Sequence, residues 1–426
     1  MSRKIEIMPL AGPLDATIRP PGSKSLTNRA LICAALASGQ SILTGALDSE
    51  DTQVMIASLR ALGIEIESSE GGKCLSVQGC DGKLPRDRAE LYVENSGTSM
   101  RFLTALATLG NGKYTLDGIA RMHERPIADL RDALQQLGAE ISLSETGCPP
   151  VVVTAKGLEG GVAQIRGDIS SQFLSGLMMA APYADESVTI DVKGTLVSVP
   201  YVEMTKAVME SFSAKLRATS GYEQIVIESN NPYQATEYGI EPDASAASYF
   251  FAAAAVTGGK VEVQGLHENS LQGDVKFCDC LAQMGCQVNY GSDCTVVQGS
   301  SLRGVDLDMN AISDTMQTLA VVALFAEGTT RIRNVAHVRH KETDRIAAVA
   351  AELRKLGASV NEFEDGLEIT PGEFTPAEIA TYNDHRMAMS FAVAGLRQPS
   401  VVILDPECVN KTYPQFFADF AALGRG

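Results

Sequence analysis

Leu59-Arg60-Ala61-Leu62-Gly63, an apolar helix end closed by glycine, returns as Leu134-Gln135-Gln136-Leu137-Gly138, Leu281-Ala282-Gln283-Met284-Gly285, Leu353-Arg354-Lys355-Leu356-Gly357 and Phe420-Ala421-Ala422-Leu423-Gly424. Met209-Glu210-Ser211-Phe212-Ser213 is a degenerate further copy. The marker residues 63, 138, 213, 285, 357 and 424 are separated by 75, 75, 72, 72 and 67 positions, which identifies six copies of one supersecondary unit. Glycine closes these helices because the residue after a helix commonly turns left-handed, where a side chain is costly.

Working outward from the marker, each copy reads as a short polar motif, an Ala/Leu-rich helix, a strand, a loop and the amphipathic helix that ends at the marker. The polar motifs are Gly22-Ser23-Lys24-Ser25, Asn95-Ser96-Gly97-Thr98, Ser170-Ser171-Gln172, Asp243-Ala244-Ser245, Ser313-Asp314-Thr315 and Asn383-Asp384-His385-Arg386. All six precede a helix, where Ser, Asp and Asn cap orphan amides. Tyr114-Thr115-Leu116, Val188–Val192, Val261-Glu262-Val263 and Val401–Leu404 read as short β-branched strands. The pattern therefore predicts a mixed α/β fold, with helices inside and sheet outside or the reverse.

At 426 residues the chain exceeds one hydrophobic core, since single cores stop growing near roughly 250–300 residues. Two domains of three copies each are expected, with a boundary in Asn230-Asn231-Pro232-Tyr233 to Tyr238-Gly239-Ile240-Glu241-Pro242. The hydrophobic fraction of 45% and charged fraction of 20% are those of a globular protein. A net charge of −17 disfavours binding to nucleic acid or anionic membrane. The odd count of nine Cys, mostly among apolar neighbours, predicts free thiols in the cytosol, and Cys278-Asp279-Cys280 lacks zinc-ligand spacing. Met1–Ile7 shows no secretory pattern and reads as a strand. Ala244–Val256 and Thr318–Ala326 are too short to cross a bilayer and read as buried helices.

Capping does not account for Lys24, Arg29, Arg101 and Arg386, which add positive charge near helix ends that are already positive. Parallel helix ends carrying such cations predict an anion site, and two domains facing each other would form a cleft lined by them. Pro20–Arg29 has the turn, hydroxyls and cations of a phosphate cradle without the order of a P-loop. In Asn95–Arg101, Gly97 permits close approach of the backbone to a ligand. His123-Glu124-Arg125-Pro126 places Arg125 before a helix expected to start at Ile127. Ser170-Ser171-Gln172 and Ser198-Val199-Pro200-Tyr201 offer neutral donors and acceptors. His340-Lys341-Glu342-Thr343-Asp344-Arg345 is read as the opening of a helix, with Lys341 and Arg345 four apart on one side of it. Together with Lys411 these motifs supply the cations for two anionic small molecules, and Asp314 and Glu342 supply carboxylates able to move protons.

Pro21-Gly22-Ser23-Lys24-Ser25 with Asn28-Arg29, Asn95-x-Gly97-Thr98-x-Met100-Arg101, Arg125-Pro126, Ser170-Ser171-Gln172, Lys341-Glu342-x-Asp344-Arg345 and Asp384-His385-Arg386 jointly resemble the 5-enolpyruvylshikimate-3-phosphate synthases, in order from residue 20 to 414. The resemblance implies a two-domain inside-out α/β barrel of six βαβαββ repeats: 21–240 as the first domain, 1–20 plus 241–426 as the second, and the active site in the cleft between them. It implies transfer of the enolpyruvyl group of phosphoenolpyruvate to the 5-hydroxyl of shikimate 3-phosphate, in a cytoplasmic monomer with no cofactor, metal, nucleic-acid or membrane partner. Residues carried over for shikimate 3-phosphate are Lys24, Ser25, Arg29, Ser170, Ser171, Gln172, Ser198, Tyr201, Asp314, His337 and Lys341. Those for phosphoenolpyruvate are Lys24, Asn95, Gly97, Arg101, Arg125, Gln172, Arg345, Arg386 and Lys411. Asp314, Glu342 and Lys24 take the catalytic roles.

The chain departs from the family pattern at His337, where many members have Asn, at Phe102, where the commonest bacterial form has Pro, and at Ser96 and Ser99, which replace small apolar residues. The last three bear on potency of glyphosate, a mimic of phosphoenolpyruvate. The sister enzyme acting on UDP-N-acetylglucosamine shares the sixfold architecture but lacks the Lys-Glu-x-Asp-Arg and Asp-His-Arg combination. A repeat protein that only binds phosphate ligands would leave Asp314 and Glu342 without proton duties.

Overall fold

The computed structural model describes residues 3–229 and 231–425. Asn230 of the expected boundary, and Met1 and Ser2 of the expected first strand, lie outside them; the strand itself runs Lys4–Ile7. The chain divides into two compact units, a first unit Gly22–Ile240 and a second unit formed from Met1–Pro21 and Glu241–Gly426. Each has its own hydrophobic core.

Three helices in each unit are buried nearly all round: Lys24–Leu36, Gly97–Ala107 and Ser171–Ala180 in the first, Ala244–Thr257, Met316–Val322 and His385–Gly395 in the second. Such helices are apolar on every side because no face meets water. In the second unit Ser248 Oγ lies 3.1 Å from Thr318 Oγ1, which lies 3.2 Å from Ser390 Oγ, so one short ladder links the three inner helices. The strands alternate between buried and open positions, as in Val151–Lys156 and Val188–Lys193, the pattern of a sheet with one wet face. Helices inside and sheet outside is therefore the arrangement within each unit.

Three of the repeats make their own small sheet, a parallel pair joined through the inner helix and an antiparallel hairpin beside it. Arg88–Tyr92 runs parallel to Asn111–Asp117, which pairs antiparallel with Val151–Lys156, and Glu140–Ser142 completes that sheet. The first strand of two repeats is exchanged. Asp15–Ile18 precedes the first inner helix in sequence yet pairs with Lys260–Gln264 of the second unit, and Glu237–Gly239 precedes Ala244 yet pairs with Gln40–Thr44 of the first. In the last repeat, among the described residues, Lys4–Ile7 covers the second edge of Val401–Leu404 in place of a hairpin.

Four marker glycines, Gly63, Gly138, Gly285 and Gly357, have φ of 95°, 92°, 119° and 94°, and Ser213 of the degenerate copy follows them at 72°. Gly424 is different: it lies in the 3₁₀ turn Leu423–Arg425 without a positive φ. At Gly357 a Cβ would also come 2.0 Å from the Glu373 carbonyl oxygen. Ser213→Gly should therefore stabilise the fold by about 0.5–1 kcal/mol and Gly357→Ala destabilise it by more than about 1 kcal/mol, read as thermal or urea midpoints.

Candidate active site

Five of the six polar motifs cap their helices. Ser23 accepts from the Leu26 amide, Ser96 from Ser99, Ser170 from Gln172, Asp243 from Ala246 and Asp384 from Arg386. The fifth motif does not: a 3₁₀ turn, Asn310–Thr315, precedes Met316–Val322, and the Thr315 hydroxyl donates to the Ile312 carbonyl. The partners of Asp314 include three side-chain cations.

In the second unit Asp314 is one pole of a charge network. It accepts from Lys341 Nζ, from Arg345 Nη1 at 3.1 Å and from Arg386 Nη2 at 2.8 Å. Arg345, 1% exposed, also donates to both Asp384 oxygens at 2.7 and 3.2 Å and to Glu342 Oε2 at 2.9 Å. Lys411 Nζ holds the other Glu342 oxygen at 2.9 Å. Four cations, Lys341, Arg345, Arg386 and Lys411, thus surround three carboxylates, Asp314, Glu342 and Asp384. Burial alone would raise the Asp314 carboxyl, but Arg386, Lys341 and Arg345 outweigh it and hold the group well below the usual carboxylate range. Burial lowers the Lys341 ammonium, partly offset by Asp314. His337, also buried, lies with Nε2 2.9 Å from Ser313 Oγ.

The helical reading of the Lys341 motif is corrected. The helix is Arg345–Lys355, with Asp344 as its cap accepting from the Ala347 amide at 3.1 Å. Lys341 and Glu342 lie in the loop before it, following the 3₁₀ turn Ala336–His340. Lys341 and Arg345 do converge, but on Asp314 and not as a helical i,i+4 pair. The loop is held by Arg339, all five of whose guanidinium N–H groups have acceptors: both Asp344 oxygens, Glu362 and the Phe363 and Glu364 carbonyls.

In the first unit two guanidinium groups flank Gly97. A Cβ there would lie 2.3 Å from Arg125 Nη2 and 2.9 Å from Arg101 Nη1, so the glycine makes room for both cations at the start of its helix. Arg125 donates to the Asn95 carbonyl at 2.9 Å and side-chain oxygen at 3.2 Å; Arg101 donates to the Gly97 and Pro126 carbonyls. The helix after Arg125 starts at Ala128, not Ile127, with Ile127 as its cap residue and Pro126 just outside. Gln172 Nε2 reaches Thr98 Oγ1 at 3.2 Å, which joins the second and third motifs. Lys24 and Ser25 open the Lys24–Leu36 helix, half-buried. Arg29 is 2% exposed and donates to Thr205, Ser175 and the Ser25 and Tyr201 carbonyls. Burial pushes its guanidinium down to about 10, still charged at neutral pH. Ser198, at φ 54°, turns the chain into the Val199–Ser211 helix that presents Tyr201.

The carried-over residues thus fall into two groups: Lys24, Ser25, Arg29, Asn95, Gly97, Arg101, Arg125, Ser170, Ser171, Gln172, Ser198 and Tyr201 in the first unit, and Asp314, His337, Lys341, Glu342, Arg345, Arg386 and Lys411 in the second. Sequence reasoning gave no role to Asp384 as the bidentate partner of Arg345, nor to Tyr249, whose hydroxyl lies 3.4 Å from Arg386 Nη1. It also missed Asp274, which accepts from Ser245; burial, then Asp314, pushes its carboxyl up to about 6. The position of Asp384 two residues before Arg386 was the available signal; Tyr249 and Asp274 carried none. No group of acidic, His or Cys residues suited to a metal ion occurs among the described residues, and no described helix is long and apolar enough to cross a membrane.

The sequence profile of EPSP synthase (3-phosphoshikimate 1-carboxyvinyltransferase) matches residues 10–420. The chain is 50% identical over 418 residues to the 3-phosphoshikimate 1-carboxyvinyltransferase of Nostoc punctiforme, covering 98% of each, and 48% identical over 414 residues to that of Shewanella pealeana, covering 96% of this chain and 97% of the relative. The solved EPSP synthase of Acinetobacter baumannii superposes with a TM-score of 0.81 at 27% identity, covering 99% of this chain and 98% of that one. Alike along nearly its whole length in sequence and in backbone, the chain belongs to the EPSP synthase family.

Proposed function

We propose that the chain transfers the enolpyruvyl group of phosphoenolpyruvate to the 5-hydroxyl of shikimate 3-phosphate and releases inorganic phosphate, both groups of residues serving this one reaction. The observation that carries the reading is the assembly of Asp314, Lys341, Glu342, Arg345, Arg386 and Lys411 into one charge network. The sister-enzyme and binding-only readings have no equivalent observation in their favour.

In this reading Glu342, helped by Lys24, delivers a proton to the methylene carbon of phosphoenolpyruvate, which makes the adjacent carbon electrophilic. The 5-hydroxyl oxygen bonds to that carbon while its proton passes to Asp314. The tetrahedral adduct then breaks its carbon–oxygen bond to phosphate, and a methyl proton returns to the Glu342 carboxylate as the double bond is restored. Arg125, Arg345, Arg386 and Lys411 oppose the charge of the carboxylate and phosphate of phosphoenolpyruvate. A carboxylate as strongly paired as Asp314 is a weak base. An anion that draws Arg386 and Lys341 toward itself loosens that pairing and raises the basicity of Asp314. Substrate binding and proton acceptance are coupled through the same two cations. Nine free thiols fit a cytosolic compartment, and the reading needs a single copy of the chain.

His337 stays neutral in this site: burial, with Lys341 second, pushes its imidazole down to about 3, with Asp314 opposing and His340 and Arg345 adding to the shift. It serves shikimate 3-phosphate as a hydrogen-bonding group and not as a cation.

Phosphate release should require phosphoenolpyruvate together with shikimate 3-phosphate. Release with UDP-N-acetylglucosamine instead, or with no acceptor needed, would overturn the assignment. Asp314→Ala and Glu342→Ala should each lower kcat by about 10²–10⁴-fold while KM for both substrates moves much less; unchanged kcat in either removes its role. The His337 imidazole is harder to protonate folded than unfolded, so its contribution to stability is complete above about pH 6.5 and lost as the pH falls from there toward about 3. At pH 5 the loss is about 2 kcal/mol. His337→Asn should flatten the fall of the thermal midpoint between pH 7 and 5, and an equal fall in both proteins would refute the buried neutral imidazole.

A further inference from the structure

Glu352 lies on the Arg345–Lys355 helix, seven residues beyond Arg345, and is completely buried. Its Oε1 accepts from Lys355 Nζ at 2.8 Å and from the Tyr382 hydroxyl at 2.7 Å; its Oε2 accepts from Lys355 Nζ at 2.7 Å and from the Ala380 amide at 3.1 Å. Four bonds fill the acceptor capacity of a carboxylate, and the Lys355 ammonium, whose side chain is 44% exposed, balances its charge from the solvent side.

The segment that Glu352 holds is backbone-strained. Tyr382 and Asn383 both have φ of 54°, in the left-handed region that bulky side chains avoid. They lead directly into Asp384, which takes two bonds from Arg345, and Arg386, which contacts Asp314. One helix thus grips residues 380–386 twice, at Glu352 and at Arg345. Arg345 belongs to the charge network, whereas the bonds of Glu352 run to Lys355, Ala380 and Tyr382. Burial and then the Glu352 carboxylate push the Tyr382 phenol up to about 12, so the hydroxyl keeps its proton at neutral pH.

We propose that Glu352 and Tyr382 are positioning residues, a buried staple that holds the Tyr382–Asn383 turn in its left-handed form and thereby fixes where Asp384 and the Arg386 guanidinium stand for phosphoenolpyruvate. The proposal rests on Arg386 being a phosphoenolpyruvate contact. Nothing in the residue types of Glu352 and Tyr382 marks them as functional; the juxtaposition of four bonds, strain and two network residues does.

Steady-state kinetics with each substrate varied separately, and thermal midpoints, test it on Tyr382→Phe, Glu352→Gln and Arg386→Lys. Tyr382 is 43% exposed, so removing its hydroxyl leaves the fold intact even if Glu352→Gln does not. The expected result for Tyr382→Phe is a KM for phosphoenolpyruvate raised about 3–10-fold, a KM for shikimate 3-phosphate within about 2-fold, and a midpoint within about 2 °C, against the several-fold loss that misplacing a binding group produces. A correctly folded Glu352→Gln should show the same selective rise, larger in size. If Arg386→Lys raises that KM but Tyr382→Phe leaves both KM values unchanged, or raises both together, the positioning role is overturned while the assignment of Arg386 stands. If Arg386→Lys leaves the KM for phosphoenolpyruvate unchanged, the assignment of Arg386 fails and the positioning role fails with it.

Discussion

Arg345, 1% exposed, keeps its charge among three close anionic partners, Asp384, Glu342 and Asp314. Removing one partner from such a buried ion cluster typically costs about 3–5 kcal/mol, because the remaining charge is left without compensation. This constraint fixes the relative places of the loop before the Arg345–Lys355 helix, the turn before Met316–Val322 and the start of His385–Gly395. Lys341, Arg386 and Lys411 then attach to carboxylates that are already placed. The network is held at its centre by a residue with little exposure, while the Lys341 side chain keeps 24% of its surface open.

Six copies of one unit explain how residues from 314 to 411 arrive together. In each copy the polar motif precedes the inner helix, and in the second unit the three inner helices pack on one another through apolar faces and the Ser248–Thr318–Ser390 ladder. Parallel packing of equivalent helices brings equivalent motifs to one end. The same logic operates in the first unit, where Arg29 of one inner helix reaches Ser175 of another and Gln172 reaches Thr98. An acidic chain can therefore concentrate cations locally without a basic surface.

Much of this was legible in the sequence for identifiable reasons. The marker glycines are readable because φ near 95° is a requirement that few residues meet, and Ser213 shows that position, not residue type, carries the repeat. The caps at Ser23, Ser96, Ser170, Asp243 and Asp384 were readable because capping is local. What failed was local as well: Lys341 and Arg345 at helical spacing suggested one helix, but Asp344 is the better cap and starts the helix after both Lys341 and Glu342. The exchanged strands Asp15–Ile18 and Glu237–Gly239 have four and three residues, too few for a pattern that could say which sheet they join. Glu352 and Arg339 were invisible because their importance lies in the number of partners, which only the folded chain reveals.

Three of the positions singled out in the sequence, Ser96, Ser99 and Phe102, belong to one helix and its cap. Phe102 stands 1% exposed with the Arg29 guanidinium 5.2 Å from its ring centroid. A ring at this place offers the buried Arg29 a polarisable face that a smaller residue would not supply. Ser96 and Ser99 form a capping pair in which Ser96 accepts from the Ser99 amide at 3.2 Å and donates to the Ser99 hydroxyl at 2.8 Å. Ser96 and Ser99 bear on the first turn of the Gly97–Ala107 helix through its cap, and Phe102 bears on the second turn through Arg29. Because Gly97 leaves the Arg125 and Arg101 guanidinium groups against the first turn, the places of those cations depend on how firmly the Ser96–Ser99 cap holds the helix start.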